Sequence, residues 1–316
     1  MQIPRTVDLL LLLAAVPAAA LGGHAFLQGV VEVAARLRVP RLLVATTLAA
    51  FATSCPELTV SSLSAWAGRP GIGLGDAMGS NVVNLGLVLG SALLFGPLAV
   101  DPRDIRRDWL LALLVPVATW LLSLDGLLSR GDGALLLAGF SLWTAWLTRL
   151  ALRHRRLAPA DMAPPRALGS ATAAWARLLT GLAGLLVAGR LFVLGASGIA
   201  TALGVHAYVV GATLVAASTS LPEWVTVMLA RRQGRDDVGL GTLIGSNLFN
   251  GLAVVGLAAS LHPIRVTPRE VGVAAGFGLL TLLLVVPRHG LLPRRRGLAL
   301  LLAYAAFVVA TTLGAF

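Results

Sequence analysis

Apolar residues run along this chain in blocks of about twenty or more, broken by short gaps that hold nearly every basic residue. The blocks lie at roughly 7–35, 42–67, 71–99, 108–124, 132–151, 174–203, 205–230, 238–261, 268–287 and 297–315. About 20 helical residues cross a bilayer core about 30 Å thick, so each block predicts one membrane span. The pattern therefore predicts an all-α polytopic membrane protein with ten transmembrane helices. Between the fifth and sixth blocks, Arg153-His154-Arg155-Arg156 and a proline-bearing stretch mark residues 153–173 as a cytoplasmic linker between repeats 1–152 and 174–316. The first 23 residues resemble a cleaved leader, with Arg5, an apolar run from Leu9 and small residues before Gly22-Gly23. Apolar sequence continues to about Ala35, so this stretch is read as the first span.

The two halves repeat one another. An offset of 166 maps Thr53, Ser54, Pro56 and Glu57 onto Thr219, Ser220, Pro222 and Glu223, and Gly79, Ser80, Asn81 and Asn84 onto Gly245, Ser246, Asn247 and Asn250. Gly73, Leu74, Gly75 and Gly90 also have identical partners under that offset. Five spans per half is an odd number, so the second copy must cross the membrane in the opposite sense: two inverted-topology five-helix repeats. Arginine placement agrees. With both termini extracytoplasmic, 19 of the 25 arginines fall on the inner side, five fall outside, and Arg190 lies within a span.

Composition narrows the class. With 57% hydrophobic residues, 12% charged residues and a mean hydropathy of +0.85, the chain belongs in a lipid bilayer. A net charge of +11 in a soluble protein points toward nucleic acid, but here the charge is arginine between spans, so no nucleic-acid partner is expected. One cysteine, Cys55, excludes a disulfide framework and a cysteine-based structural zinc site.

The repeated polar motif carries the chemistry. Ionisable side chains in hydrocarbon are costly, at ~2.5–3.5 kcal/mol on insertion scales, and usually serve an ion or substrate path. On a helix, Thr53, Ser54 and Glu57 share one face, as do Ser80 and Asn84; Thr219, Ser220 and Glu223, then Ser246 and Asn250, repeat both sets. Pro56 and Pro222 cannot donate to the carbonyls of Ala52 and Ser218, which predicts kinks and released backbone oxygens one turn before each Glu. Carboxylate, hydroxyl, amide and carbonyl oxygens suit a hard cation such as Ca²⁺, with its six to eight ligands. Glu57 and Glu223 together match the charge of one divalent ion.

At these residues the chain resembles the sodium/calcium exchanger family of the cation/Ca²⁺ exchanger superfamily, through Thr-Ser-Cys-Pro-Glu and Thr-Ser-Leu-Pro-Glu, each followed by Gly-Ser-Asn-x-x-Asn. The resemblance implies an antiporter that exchanges Ca²⁺ for Na⁺ by alternating access at a midplane site between the second, third, seventh and eighth helices. It implies that Glu57 and Glu223 contact both ions. Thr53, Ser54, Ser80, Thr219, Ser220 and Ser246 would add ligands with the carbonyls of Ala50 and Ala216, and the first and sixth helices would slide across this core. No enzymatic activity and no resident cofactor are expected. The chain is read as a monomer in a prokaryotic inner membrane.

Exchangers of this family commonly hold an acid at one of the positions of Asn84 and Asn250. With amides at both, the reading counts two negative charges at the centre and keeps an H⁺/Ca²⁺ exchanger as the alternative. A passive cation channel and an intramembrane hydrolase using Ser80 or Ser246 stand further off. His24 and Arg190, also 166 apart, are read as a neutral hydrogen-bonding residue and as a snorkelling or acid-paired cation. Asn81 and Asn247 are read as helix–helix contacts. Asp76 and the Asp236-Asp237 pair are read as solvated or capping charges near helix ends, with attraction of cations toward an outer vestibule kept as the alternative for Asp76.

Overall fold

The computed structural model describes residues 6–36, 51, 53–100, 102–157, 170–232, 234, 236–286 and 290–313. In chain order α1 is Thr6–Arg36, α2 is Cys55–Trp66, and α3 is Pro70–Leu94 with a π-helical turn at Asn84–Leu89. The two-residue strand β1, Leu98–Ala99, leads to α4, Pro102–Leu122; β2, Leu127–Leu128, leads to α5, Arg130–Leu157. Next come α6, Ala171–Leu203, and α7, which spans 207–219 and contains a π-helical turn at Gly211–Val215. Then α8 is Leu221–Arg232, and α9 runs from Asp236 through a π-helical turn at Asn250–Val254 to Leu261. Finally β3, Ile264–Arg265, precedes α10, Pro268–Leu284, and β4, Leu291–Leu292, precedes α11, Arg294–Leu313.

Seven stretches among the described residues are long and apolar enough to span a bilayer. Helices α4 and α10, of 21 and 17 residues, pack against each other in the same bundle. Of the expected span 42–67, residues 42–50 and 52 lie outside the described residues. Helix α5 runs on to Leu157, so the expected linker begins as helix.

Prolines set the helix breaks. Pro56 sits in the first turn of α2, and the chain leaves helical geometry at Ser54, with φ −89° and ψ 9°. The same break separates α7 from α8 at Ser220, with φ −79° and ψ 6°, just before Pro222. Each break is one residue long, and at Ser220 it is bridged by bonds from Ser220 N to the Ala216 carbonyl and from Trp224 N to the Ser220 carbonyl, each 3.1 Å; the missing N–H and the ring of proline make an unbroken helix unfavourable by ~3 kcal/mol.

Glycines let α3 and α7 meet backbone to backbone. A Cβ at Gly75 would lie 2.2 Å from the carbonyl oxygen of Tyr208, and one at Gly79 would lie 2.3 Å from that of Ala212. Any side chain there would hold the two polar helices apart. Helices α1 and α6 pair in the same way: a Cβ at Gly181 would lie 2.2 Å from Phe26 N, and one at Gly29 would lie 2.4 Å from Leu178 N. Arg177 and Glu32 form an ion pair across this pair of helices.

The core is divided. The main apolar cluster, from Ala65 to Phe307, takes no residue from α1 or α6. Those helices bury their small and aromatic side chains in satellite clusters, meeting the rest through Val60, Ile72, Val210 and Val215 in one and Cys55 in the other. Short antiparallel ladders tie the two halves: Leu98 and Ala99 pair with Leu292 and Leu291, and Leu127 and Leu128 with Arg265 and Ile264.

Candidate functional site

The breaks at Ser54 and Ser220 and the close approach of α3 to α7 bring the repeated motif together. Thr53, Ser54, Glu57, Ser80, Asn84, Thr219, Ser220, Glu223, Ser246 and Asn250 are all buried, the two glutamates completely. Hydroxyls of the two halves meet in matching pairs: Thr53 Oγ1 lies 3.3 Å from Ser246 Oγ, and Ser80 Oγ lies 3.4 Å from Thr219 Oγ1. Each pair is the other shifted by 166 residues. Ser54 Oγ donates across the halves to Glu223 Oε1 at 3.3 Å, and Ser246 Oγ donates to the same oxygen at 3.2 Å.

Acceptors remain open at the centre. Both carboxylate oxygens of Glu57, Oε2 of Glu223, Oδ1 of Asn84 and both side-chain polar atoms of Asn250 have no hydrogen-bond partner. The hydroxyl of Ser220 is also unpartnered. Buried polar groups are normally paired, and an unmet one costs about 1–3 kcal/mol, more when charged. Such a concentration of unmet oxygens is what a desolvated cation can satisfy. The Ala216 carbonyl points into local helical bonding, accepting from Ser220 N at 3.1 Å and from Thr219 Oγ1 at 3.3 Å. Ala50 lies outside the described residues.

Asp76 corrects the sequence reading. Rather than a solvated charge near a helix end, it is wholly buried, and its Oδ1 accepts the Thr219 hydroxyl at 2.8 Å. The centre therefore holds three acids, not two: Glu57 feels the field of Glu223 and of Asp76, and Asp76 feels that of Glu223. Sequence spacing held the signal: Asp76, Ser80 and Asn84 are each four apart and share one face of α3. Among the described residues no ion pair involves any of the three acids.

Asn81 and Asn247 lie off this face and form a reciprocal clasp. Asn81 Nδ2 donates to the Asn247 carbonyl at 3.3 Å, and Asn247 Nδ2 donates to the Asn81 carbonyl at 3.1 Å. Asn84 Nδ2 joins them by donating to Asn247 Oδ1 at 3.0 Å. The π-helical turns begin at Asn84 and Asn250; such bulges recur at functional sites.

Other expected residues stand apart. His24 is exposed and lies within hydrogen-bond distance of Gln28, with 2.9 Å between Nε2 atoms, so it cannot serve a buried serine nucleophile. Arg190 is exposed and has no ion pair among the described residues. Asp236 keeps its helix-end role, accepting from Ala99 N at 3.2 Å and facing Arg231 at 3.8 Å. The side chain of Asp237 lies outside the described residues.

Known proteins share this fold. The profile of the family described as sodium/calcium exchanger protein matches residues 7–149 and 173–313. The CaxA protein of Alkalimonas amylolytica is 34% identical over 294 residues, covering 89% of this chain and 91% of that one. The sodium/calcium exchanger MaX1 of Methanosarcina acetivorans is 26% identical over 348 residues, covering 96% and 98%. Among solved structures, the sodium-calcium exchanger NCX_Mj soaked with Na⁺ and Sr²⁺ superposes with a TM-score of 0.67 at 28% identity, over 96% of this chain and 98% of that one. Helices long and apolar enough to span a bilayer and a profile that matches nearly the whole chain together make this an integral membrane protein of the sodium/calcium exchanger family.

Proposed function

We propose that the protein is a secondary antiporter exchanging Ca²⁺ for Na⁺ at the oxygen-lined centre between the two halves. The observation that carries the reading is the pair of matched hydroxyl contacts, Thr53 with Ser246 and Ser80 with Thr219, beside glutamates whose oxygens lack partners. Family membership supports this substrate class, since relatives of similar length are named sodium/calcium exchangers. Glu57 and Glu223 supply the charge that offsets the desolvation of a divalent ion. The Ser, Thr and Asn side chains supply neutral oxygens, and the family resemblance would add the carbonyls of Ala50 and Ala216.

The reading places ten helices in two inverted five-helix repeats with both termini outside. Three pairs of features related by, or close to, the offset of 166 support it: the breaks at Ser54 and Ser220, the π-helical turns at Asn84 and Asn250, and the crossed ladders β1–β4 and β2–β3. The pair α1–α6 is the moving body. Its apolar contacts form clusters separate from the main core, so sliding it disturbs little packing.

A second reading, an H⁺/Ca²⁺ exchanger, is favoured by one feature: both Asn84 and Asn250 are amides. Uptake of ⁴⁵Ca²⁺ into proteoliposomes, driven in turn by Na⁺, K⁺ and H⁺ gradients, separates the readings. Uptake that follows an outward Na⁺ gradient supports the proposal. Uptake driven by H⁺ alone replaces it with the second, and flux that ignores both gradients and follows voltage indicates a channel.

A further inference from the structure

We infer that Asp76 is a cation ligand in its own right and holds a monovalent cation of the Na⁺ type beside the ion shared by Glu57 and Glu223. The inference rests on the antiporter reading and adds a charge to its site. Asp76 lies on α3 one turn before Ser80, facing Thr219 of α7. Its Oδ1 accepts the Thr219 hydroxyl at 2.8 Å, the same hydroxyl lies 3.4 Å from Ser80 Oγ, and Oδ2 has no partner.

A wholly buried carboxyl at membrane depth either holds a proton or, when ionised, needs a compensating positive charge. No basic side chain supplies that charge among the described residues, so the ionised form calls for a mobile cation. Among the described residues, no three acidic, histidine or cysteine side chains converge closely enough to hold one metal ion. Asp76 is therefore not a third ligand of the ion between the glutamates but the wall of an adjoining position. Charge then selects the occupant. Two glutamates balance a divalent ion, and the third acid leaves a single negative charge, matching one monovalent cation.

The position is one-sided. Its counterpart under the offset of 166 is Thr242, whose hydroxyl is turned back to the Val238 carbonyl at 2.8 Å. In the proposed orientation the charged flank is the outer one, because α3 enters from outside and reaches Asp76 before Ser80. Cations arriving from outside thus meet a carboxylate that cations arriving from inside do not.

Thermal unfolding of the purified full-length protein in detergent tests this, with Na⁺ titrated against N-methylglucamine at constant ionic strength and Ca²⁺ titrated separately. Asp76→Asn keeps an acceptor for Thr219 and removes only the charge; Asp76→Ala removes both. The expected result is that Asp76→Asn raises the Na⁺ concentration at half-response by roughly tenfold or more and shifts the Ca²⁺ response less. A Na⁺ midpoint for Asp76→Asn equal to the parent's, with or without a shift in Asp76→Ala, overturns the inference and leaves Asp76 as a support for Thr219. A parent protein that responds to neither ion overturns the antiporter reading itself, and this inference with it.

Discussion

Replacing Glu57 by Gln separates what the carboxylate does for ions from what it does for the fold. Glu57 is fully buried and neither of its carboxylate oxygens has a partner, so the isosteric amide gives up no hydrogen bond in the ion-free protein. It also removes repulsion from Glu223 and Asp76. Ion-free Glu57→Gln should therefore melt no lower than the parent. Its affinity for Ca²⁺ should collapse. Unit charges about 4 Å apart interact by ~4 kcal/mol at an effective dielectric of about 20, so a divalent ion loses ~8 kcal/mol. The amide oxygen recovers part of this. A net loss of about 4 kcal/mol is a factor of about 10³ in Kd. At a Ca²⁺ concentration about 100 times the parent Kd, binding stabilises the parent by ~2.7 kcal/mol, or roughly 5–10 °C in Tm. The variant at the same concentration gains less than ~0.1 kcal/mol, too little to detect. Differential scanning fluorimetry with and without Ca²⁺ reads both effects. A Ca²⁺-dependent rise of parental size in Glu57→Gln refutes its place as a ligand. A marked fall in the ion-free Tm refutes the claim that the carboxylate is held against stability.

Gly189→Ala should impede the movement proposed for α1 and α6, because the new Cβ on α6 meets Thr59 Cγ2 of α2 at 2.6 Å, across the boundary between the moving pair and the core. Overpacking of this kind costs about 1–3 kcal/mol, so ⁴⁵Ca²⁺ exchange should slow severalfold while the Ca²⁺ midpoint by fluorimetry stays within about twofold of the parent. Unchanged exchange would mean that this contact does not limit the motion. Asn247→Ala should break the clasp with Asn81 and leave the Asn81 carbonyl and Asn84 Nδ2 without their partners. A loss of about 1–3 kcal/mol is expected, and a Tm equal to the parent's would contradict that.

Much of the architecture is legible in sequence because membrane helices obey local rules. Blocks of apolar residues fix where spans lie, Pro56 and Pro222 fix where two of them break, and the offset of 166 pairs the residues of the two centres. Glu57 and Glu223 stand out for the same reason: charge inside an apolar block is visible without coordinates. What a linear pattern could not supply was which helix faces which. Asp76 lies seven positions into α3, where an end charge and a site charge look alike in sequence; only the approach of α7, bringing Thr219 within 2.8 Å, decides between them.

The duplicated motif also hides a difference that tertiary structure exposes. Asn84 and Asn250 are the same residue at the same place in each copy, yet Asn84 donates to Asn247 while Asn250 bonds to nothing. Likewise Glu223 accepts two hydroxyls and Glu57 accepts none. Sequence determined that two copies of one oxygen-rich motif lie inside apolar blocks, because solvation in a bilayer depends on what each short segment contains. Only the tertiary structure decided that the copies are unequal and that a third acid joins them, because hydrogen bonds and fields depend on neighbours brought from more than a hundred residues away.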